Sequence, residues 1–171
     1  MTWLESHRAD PEARAIADRH YNRQKIGTPQ FVPPGRCLVL KTATAFWVTR
    51  WPFAEYTKHL WAGAWVCSAF RNEGLERSSD MIRAAIKRTK EKWPEPPSVE
   101  SWVIIQRKPK VTLIERVKVC MVTFVNGDKV KHKRDLGRCY LRAGFEYAGE
   151  TKGGLVALVL RTEKLKEACY A

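Results

Sequence analysis

The stretch from Trp61 to Pro97 constrains the fold more than any other part of the chain. Trp61–Phe70 (WAGAWVCSAF) is rich in apolar and β-forming residues and predicts a strand, centred in its second half. Arg71-Asn72-Glu73-Gly74 reads as the turn that stops it. Ile82, Ala85, Ile86 and Trp93 then recur at helical spacing behind Ser78 or Ser79, either of which suits a helix cap. Pro94, Pro96 and Pro97 end that helix, because proline disfavours the α conformation in the residue before it and has no N–H to donate. A strand feeding directly into an amphipathic helix packs that helix on a sheet, which predicts an α/β (α+β) fold.

The flanking sequence supplies more of the sheet. Cys37–Lys41 and Phe46–Trp51 flank Thr42-Ala43-Thr44-Ala45 and read as an antiparallel pair. Trp102–Ile105 and Val117–Val125 are strand-like, with the basic turn Arg107-Lys108-Pro109-Lys110 between them. Phe145–Gly149 and Leu155–Arg161 close the sheet around Lys152-Gly153-Gly154. Asp10-Pro11-Glu12 has the cap, first-turn proline and early acid of a helix start, predicting a helix from Pro11 to about Tyr21. Gly27, Pro29, Pro33, Pro34 and Gly35 then force an extended loop. Asp135 or Leu136 opens a short helix through Cys139, Tyr140 and Arg142, stopped by Gly144. The expectation is one domain over residues 1–171 with its core at about 11–161. Its central mixed, mostly antiparallel sheet is flanked by helices, 98–116 is an insertion and 162–171 a tail that forms a loose helix.

Charge narrows the partners. The chain carries 31 Lys and Arg against 18 Asp and Glu, a net +13. Like charges at this density repel one another, and a polyanion offsets that repulsion, so nucleic acid is the expected partner. No run approaches the roughly 20 apolar residues of a membrane span, and the polar N-terminus lacks the apolar core of a secretory leader. The expected compartment is the cytoplasm, that of the host if the gene belongs to a phage. Five widely spaced cysteines with no C-x-x-C pair predict neither a zinc ribbon nor a redox motif, and no metal site is expected. Cys37, Cys67 and Cys120 lie in apolar runs and read as packed thiols.

Four constellations carry chemistry. The strand-to-helix turn from Arg71 to Ser79 leads into a helix N-terminus, whose unpaired N–H groups suit a pyrophosphate. Lys129, Lys131, Lys133, Arg134 and Arg138 form a basic run that suits phosphate contact, although such runs are often simply solvated. Arg19-His20-Tyr21-Asn22-Arg23 closes the first predicted helix, where histidine can shuttle a proton or cap the helix end. Trp47, Trp51, Phe53, Tyr56, Trp61 and Trp65 interleave with Arg50, Lys58 and His59. Most of these rings are expected in the core, with one or two, such as Trp51 or Tyr56, facing a ligand. HExxH, Walker A and GxSxG patterns are absent.

Short motifs in fixed order resemble the Mom family of phage-encoded, GNAT-like proteins. They are His20-Tyr21, the strand end Thr123-Phe124-Val125-Asn126, Gly137-Arg138-Cys139-Tyr140-Leu141-Arg142-Ala143-Gly144-Phe145, and Tyr147-Ala148-Gly149. A group of phage and bacterial GNAT-like proteins is also similar through Phe53-Ala54-Glu55-Tyr56, Phe70-Arg71-Asn72-Glu73-Gly74 and Lys133-Arg134-Asp135. The likeness covers about residues 15–161. The Mom family converts adenine in DNA to a carbamoylmethyl derivative that blocks host restriction. The resemblance therefore implies a GNAT-like fold, a transferase acting on DNA bases, and acetyl-CoA or a related CoA thioester as cofactor. It implies a cofactor site at Cys67, Ser68, Phe70, Arg71, Asn72, Gly74, Ser78 and Ser79. Catalytic roles fall on His20, Tyr21, Asn126 and Tyr140, and nucleic-acid contacts on Arg23, Lys25, Lys129, Lys131, Lys133, Arg134 and Arg138. Asn126 stands where the family usually shows Asp. Asparagine cannot act as a base, and Asp128, two residues on, is the substitute candidate.

Acyl transfer to an exocyclic amine needs a proton acceptor, a polarised carbonyl and a proton for the departing sulfur. His20 or Asp128 is the expected acceptor, backbone N–H groups near Val66–Phe70 the carbonyl donors, and Tyr140 the acid. Two other readings fit the same sequence: a GNAT enzyme acting on a small-molecule, protein or tRNA amine, and a non-catalytic nucleic-acid-binding module that keeps the fold.

Overall fold

The computed structural model describes residues 2–107, 111–130 and 135–170. Among these, eight strands form one sheet: β1 (Leu4–Ser6), β2 (Cys37–Lys41), β3 (Ala45–Arg50), β4 (Trp65–Asn72), β5 (Val99–Arg107), β6 (Val111–Val125), β7 (Glu146–Glu150) and β8 (Val156–Arg161). The helices are α1 (Pro11–Ala17), α2 (Ser78–Lys92), α3 (Arg138–Arg142) and α4 (Leu165–Tyr170). The strand order is β1-β2-β3-β4-β6-β8-β7, and β5 pairs with β6 off that path. Every pairing is antiparallel except β4 with β6. The fold is therefore mixed α+β, and its one parallel pair is made across the α2 crossover.

Alternation along the strands assigns the faces. Leu38, Leu40, Trp47, Trp65, Met121, Leu158 and Leu160 turn to one side, where they pack with Met81, Ile82 and Ile86 of α2 and Leu165 of α4. On the other side, Val39, Phe46 and Val48 meet Ala13, Ile16 and Ala17 of α1. Val119, Val122, Ala157 and Val159 meet Trp61 and Val103. Both faces being covered, β8 reads as a continuous apolar run with no polar alternation. The tail read as a loose helix contributes α4, whose Leu165 is buried in the main core.

Several boundaries differ from expectation for identifiable reasons. Asp10 caps α1 as expected, accepting from Glu12 N at 2.8 Å and Ala13 N at 3.0 Å. The helix nevertheless stops at Ala17, not near Tyr21. The Asp18 carboxylate accepts from Arg23 Nε at 2.8 Å and from Gly27 N at 3.2 Å, which draws the chain into the following loop. α2 begins at Ser78, but its capping position is Arg77, and neither serine supplies a side-chain cap. β1 has no counterpart in the sequence reading, because two of its three residues are exposed and it carries no apolar pattern. The stretch read as an insertion forms β5 and the first half of β6, paired from Val99↔Val119 to Arg107↔Val111. Lys108, Pro109 and Lys110 of the basic turn lie outside the described residues.

One irregularity shapes the sheet centre. Val48 faces Ala69 and Thr49 faces Cys67, so Ser68 is an extra residue on β4, a β-bulge. A bulge bends its strand and increases the local twist. β4 pairs with β6 only from Trp65↔Met121 to Cys67↔Thr123. Beyond the bulge β4 stays with β3 as far as Asn72, while β6 stays with β8 as far as Val125. The two parallel strands part, and a gap opens at the centre of the sheet.

Candidate functional site

The gap leads into a cavity of about 630 Å³. Phe70, Arg71 and Asn72 line it from the end of β4, and Arg77, Ser78 and Ser79 from the start of α2. Val125, Lys129 and Val130 continue from β6, Gly137 to Tyr140 and Arg142 contribute α3, and Arg19, His20 and Tyr21 come from the chain after α1. The size falls within the usual range for ligand pockets.

Among the lining residues, Arg19, Arg71, Arg77, Lys129, Arg138 and Arg142 are cationic and none is Asp or Glu. Glu73, just outside, bridges Arg19 at 2.6 Å and Arg71 at 2.7 Å. Those two guanidiniums hold its carboxyl down at about 2. Among the described residues, the side chains of Arg77, Arg138 and Arg142 have no ion-pair partner. Asn72 shapes the turn into α2. Its Oδ1 accepts from Gly74 N at 2.9 Å, and its Nδ2 donates to Glu76 O at 2.7 Å and Ser78 Oγ at 3.2 Å. The positive end of α2 thus faces a cavity whose charged side chains are all positive.

His20 enters from the face opposite α2. Its ring stacks on Tyr21 at 4.5 Å and meets Phe46 edge-on at 6.1 Å. Burial lowers its pKa and the nearby Arg71 charge adds to that, against a bond to Asn22 and the Phe70 backbone, which raise it. The imidazole is consequently neutral at neutral pH and able to accept a proton. The Tyr21 hydroxyl is bonded to the Asn126 backbone, and Lys129 Nζ donates to Tyr21 O at 3.4 Å. Residues 20–22 therefore span the gap from β4 to the end of β6.

Tyr140 reaches the floor of the gap from α3. Its hydroxyl lies 3.6 Å from Cys67 Sγ, at the last residue of β4 that pairs with β6, and is also bonded to Thr123. Burial raises its pKa well above the usual phenol value, so it stays protonated and can donate. Burial likewise pushes the Cys67 thiol up to about 12, which makes it packing and not a nucleophile.

Of the residues expected at a cofactor site, Phe70, Arg71, Asn72, Ser78 and Ser79 line the cavity. Cys67 lies behind Tyr140, the Ser68 carbonyl is bound by Asn22, and Gly74 packs against Thr44. Of the expected catalytic residues, His20, Tyr21 and Tyr140 meet at the cavity. Asn126 and Asp128 are not among its lining. Asn126 Oδ1 instead accepts from Asp128 N at 3.1 Å, closing a turn, and Asp128 is exposed. Lys129 and Arg138 face the cavity, whereas Arg23 is spent inside its own loop, bonded to Asp18 and to Thr28 O at 2.9 Å. Lys25 is exposed on that loop. Lys131, Lys133 and Arg134 lie outside the described residues. Trp47, Trp61 and Trp65 are core, Trp51 meets Trp65 and Trp93 edge to face, and Phe53 and Tyr56 are exposed.

Asn22 falls within the Arg19–Arg23 constellation but has no role of its own in the sequence reading, since an exposed asparagine in a loop carries no local signal. Among the described residues no three His, Cys, Asp or Glu side chains are grouped to hold a metal ion, and no helix is long and apolar enough to cross a membrane. No protein-family model matches the chain, and neither a curated protein nor a solved structure matches it.

Proposed function

We propose that the protein is a GNAT-like transferase of the Mom type that uses a CoA thioester to modify an exocyclic amine of a base in DNA. The observation that carries this reading is the cavity between the parted strands, where His20 and Tyr140 meet beside the N-terminus of α2. A CoA-type donor is polyanionic at its diphosphate, and the residues present fit it. Ser78 and Ser79 are the first residues of α2, and among the described residues Arg77, Arg138 and Arg142 make no ion pair and no carboxylate lines the wall. Bound there, such a donor would supply an activated acyl carbonyl, and transfer would exchange its C–S bond for a C–N bond, leaving an N-acylated base and a free thiol; a carbamoylmethyl product needs chemistry beyond this transfer. His20, neutral and half-buried, takes the proton that the attacking nitrogen loses. Tyr140, held protonated, gives a proton to the departing sulfur. Asp128 is exposed away from the cavity, which leaves His20 as the favoured acceptor. A base within a duplex would have to be turned out of the stack to reach the gap, and the net charge of +13 supports a polyanionic substrate.

The engagement of Asn126 in its own turn supports a second reading, a non-catalytic nucleic-acid binder with the same fold. One experiment separates them. DNA from cells expressing the protein or its Tyr140→Phe variant is digested to nucleosides and analysed by mass. A mass-shifted nucleoside made by the wild type and lost in the variant is the expected result. Unmodified nucleosides from the wild type would overturn the transferase proposal, and equal modification by both proteins would remove Tyr140 from the mechanism. Retained DNA affinity without binding of a CoA thioester would favour the binder.

A further inference from the structure

We infer that Asn22 is the positioning residue that fixes which nitrogen of His20 exchanges a proton. The inference rests on the transferase reading for its catalytic consequence, and on geometry alone for the tautomer. The Asn22 side chain lies between two partners of opposite demand. Its Nδ2 donates to Ser68 O at 3.0 Å, and its Oδ1 lies 2.5 Å from His20 Nδ1. A carbonyl oxygen accepts only, so the Ser68 carbonyl fixes which end of the amide faces it. The oxygen end is thereby left toward the imidazole, and Nδ1 must carry the hydrogen. Flipping the amide would set two oxygens against each other at Ser68. The Asn22 backbone N–H also points at Nδ1, at 3.2 Å, an arrangement in which Nδ1 would accept. An oxygen only 2.5 Å from the same nitrogen outweighs that longer contact, because two acceptors do not approach so closely. In the neutral ring the lone pair then sits on Nε2, which becomes the accepting nitrogen.

The anchor is not arbitrary. Ser68 is the bulge residue at which β4 leaves β6, so its carbonyl lies just past the last pair of the parallel ladder. The irregularity that opens the gap also supplies the acceptor that orients Asn22, and through Asn22 the histidine. The charged and titratable groups around His20 are Arg71 and Arg19 beside it, Tyr21 stacked on it, and Lys129, Arg138, Cys139 and Tyr140 elsewhere in the cavity lining. No carboxylate lines the cavity to take the orienting role, so a neutral amide fills it. That choice keeps the ring uncharged, where a carboxylate would favour imidazolium.

The test is nitrogen NMR of the full-length, 15N-labelled protein, with the His20 signals assigned by their loss in His20→Gln. The expected wild-type ring is protonated at Nδ1, with Nε2 unprotonated. Asn22→Ala should move the hydrogen to Nε2 in a large share of molecules. Asn22→Asp cannot donate to Ser68 O, and a carboxylate beside the ring should raise the His20 pKa. If modified nucleosides are formed, Asn22→Ala should lower turnover roughly a hundredfold, the scale of a general base, and leave donor affinity unchanged. A wild-type ring protonated at Nε2, or a tautomer that Asn22→Ala leaves unchanged, would overturn the inference whatever the activity. Should Asn22→Ala not fold, the wild-type tautomer decides in its place. Absence of any modified nucleoside would sink the transferase reading without altering the tautomer, so the two failures are distinct.

Discussion

Alanine in place of Gly137 should lower stability by about 3 kcal/mol, the combined order of a left-handed backbone penalty and core overpacking. Gly137 sits at the capping position of α3 with φ 67° and ψ 28°, a region that costs a side-chain-bearing residue about 1–2 kcal/mol. A Cβ there would overlap Leu158 Cδ1 and stand 3.3 Å from Val125 Cγ2. Both neighbours belong to the main core, and Leu158, at 1% exposed, has no open space to yield into. Overpacking of this kind costs about 1–3 kcal/mol. In a domain of this size the loss corresponds to a fall of about 6–12 °C in Tm. Urea titration at equilibrium reads it as a lower midpoint at unchanged slope. The control is Gly153→Ala, whose added methyl meets only Thr151 Oγ1, at 3.9 Å, and which should stay within about 0.5 kcal/mol. A Gly137→Ala loss below about 1 kcal/mol would refute the claim that a left-handed glycine packed over Leu158 fixes how the chain enters α3 and presents Tyr140.

Three other outcomes follow from named side chains. The Glu73 carboxyl titrates near 2 in the folded chain and near 4.5 in the unfolded one. Its contribution is therefore complete above pH 4.5 and disappears as pH falls toward 2. Stability measured across that window should fall less steeply for Glu73→Gln than for the wild type, and parallel curves would refute the Arg19–Glu73–Arg71 bridge. Arg138→Ala should weaken CoA binding, measured calorimetrically, by about 10- to 100-fold, the scale of a charge-assisted hydrogen bond. Unchanged affinity would remove Arg138 from the donor site. Replacing Lys131, Lys133 and Arg134 together with alanine should reduce the log–log salt slope of DNA binding by up to about 3. An identical slope would show that this run does not touch phosphate.

The parts of the fold legible in the sequence are those fixed by local chemistry. The Asp10 cap, the proline stop after α2 and the Cys37–Lys41 strand each depend on residues within a turn or a few positions of one another. What the sequence hid depends on pairing across distance. β1 is a strand only because Leu4–Ser6 lies against Val39–Lys41. The end of α1 is set by Arg23 and Gly27 acting on Asp18, five and nine residues away. The bulge at Ser68 is visible only in the register against β3. For the site, His20, Tyr140 and the Arg71–Ser79 turn could be nominated by residue type, and they do line one cavity. Asn126 and Arg23 could be nominated in the same way, and their side chains are occupied locally. Asn22, though within the Arg19–Arg23 stretch, could not be given its role, because that role depends on Ser68, 46 residues along the chain.

The distribution of charge in the cavity argues for an anionic ligand on grounds separate from the placement of His20 and Tyr140. Cations brought together repel, and folds that need them only for solubility can scatter them over the surface at little cost. Here six are gathered around one gap, and only Arg19 and Arg71 are neutralised within it by a shared carboxylate. Arg77 and Arg138 flank the segments that lead into α2 and α3, so two helix starts converge on the same space. Glu73 is held between Arg19 and Arg71, and among the described residues the other four lining cations, Arg77, Lys129, Arg138 and Arg142, make no ion pair. An uncompensated group of three arginines beside the positive end of α2 raises the energy of the folded chain. A bound polyanion lowers it, and the same term would appear as ligand-dependent stabilisation of the folded state. Packing alone gives no reason for the opening between β4 and β6 to coincide with that charge. A ligand with a diphosphate at one end and a reacting group at the other does.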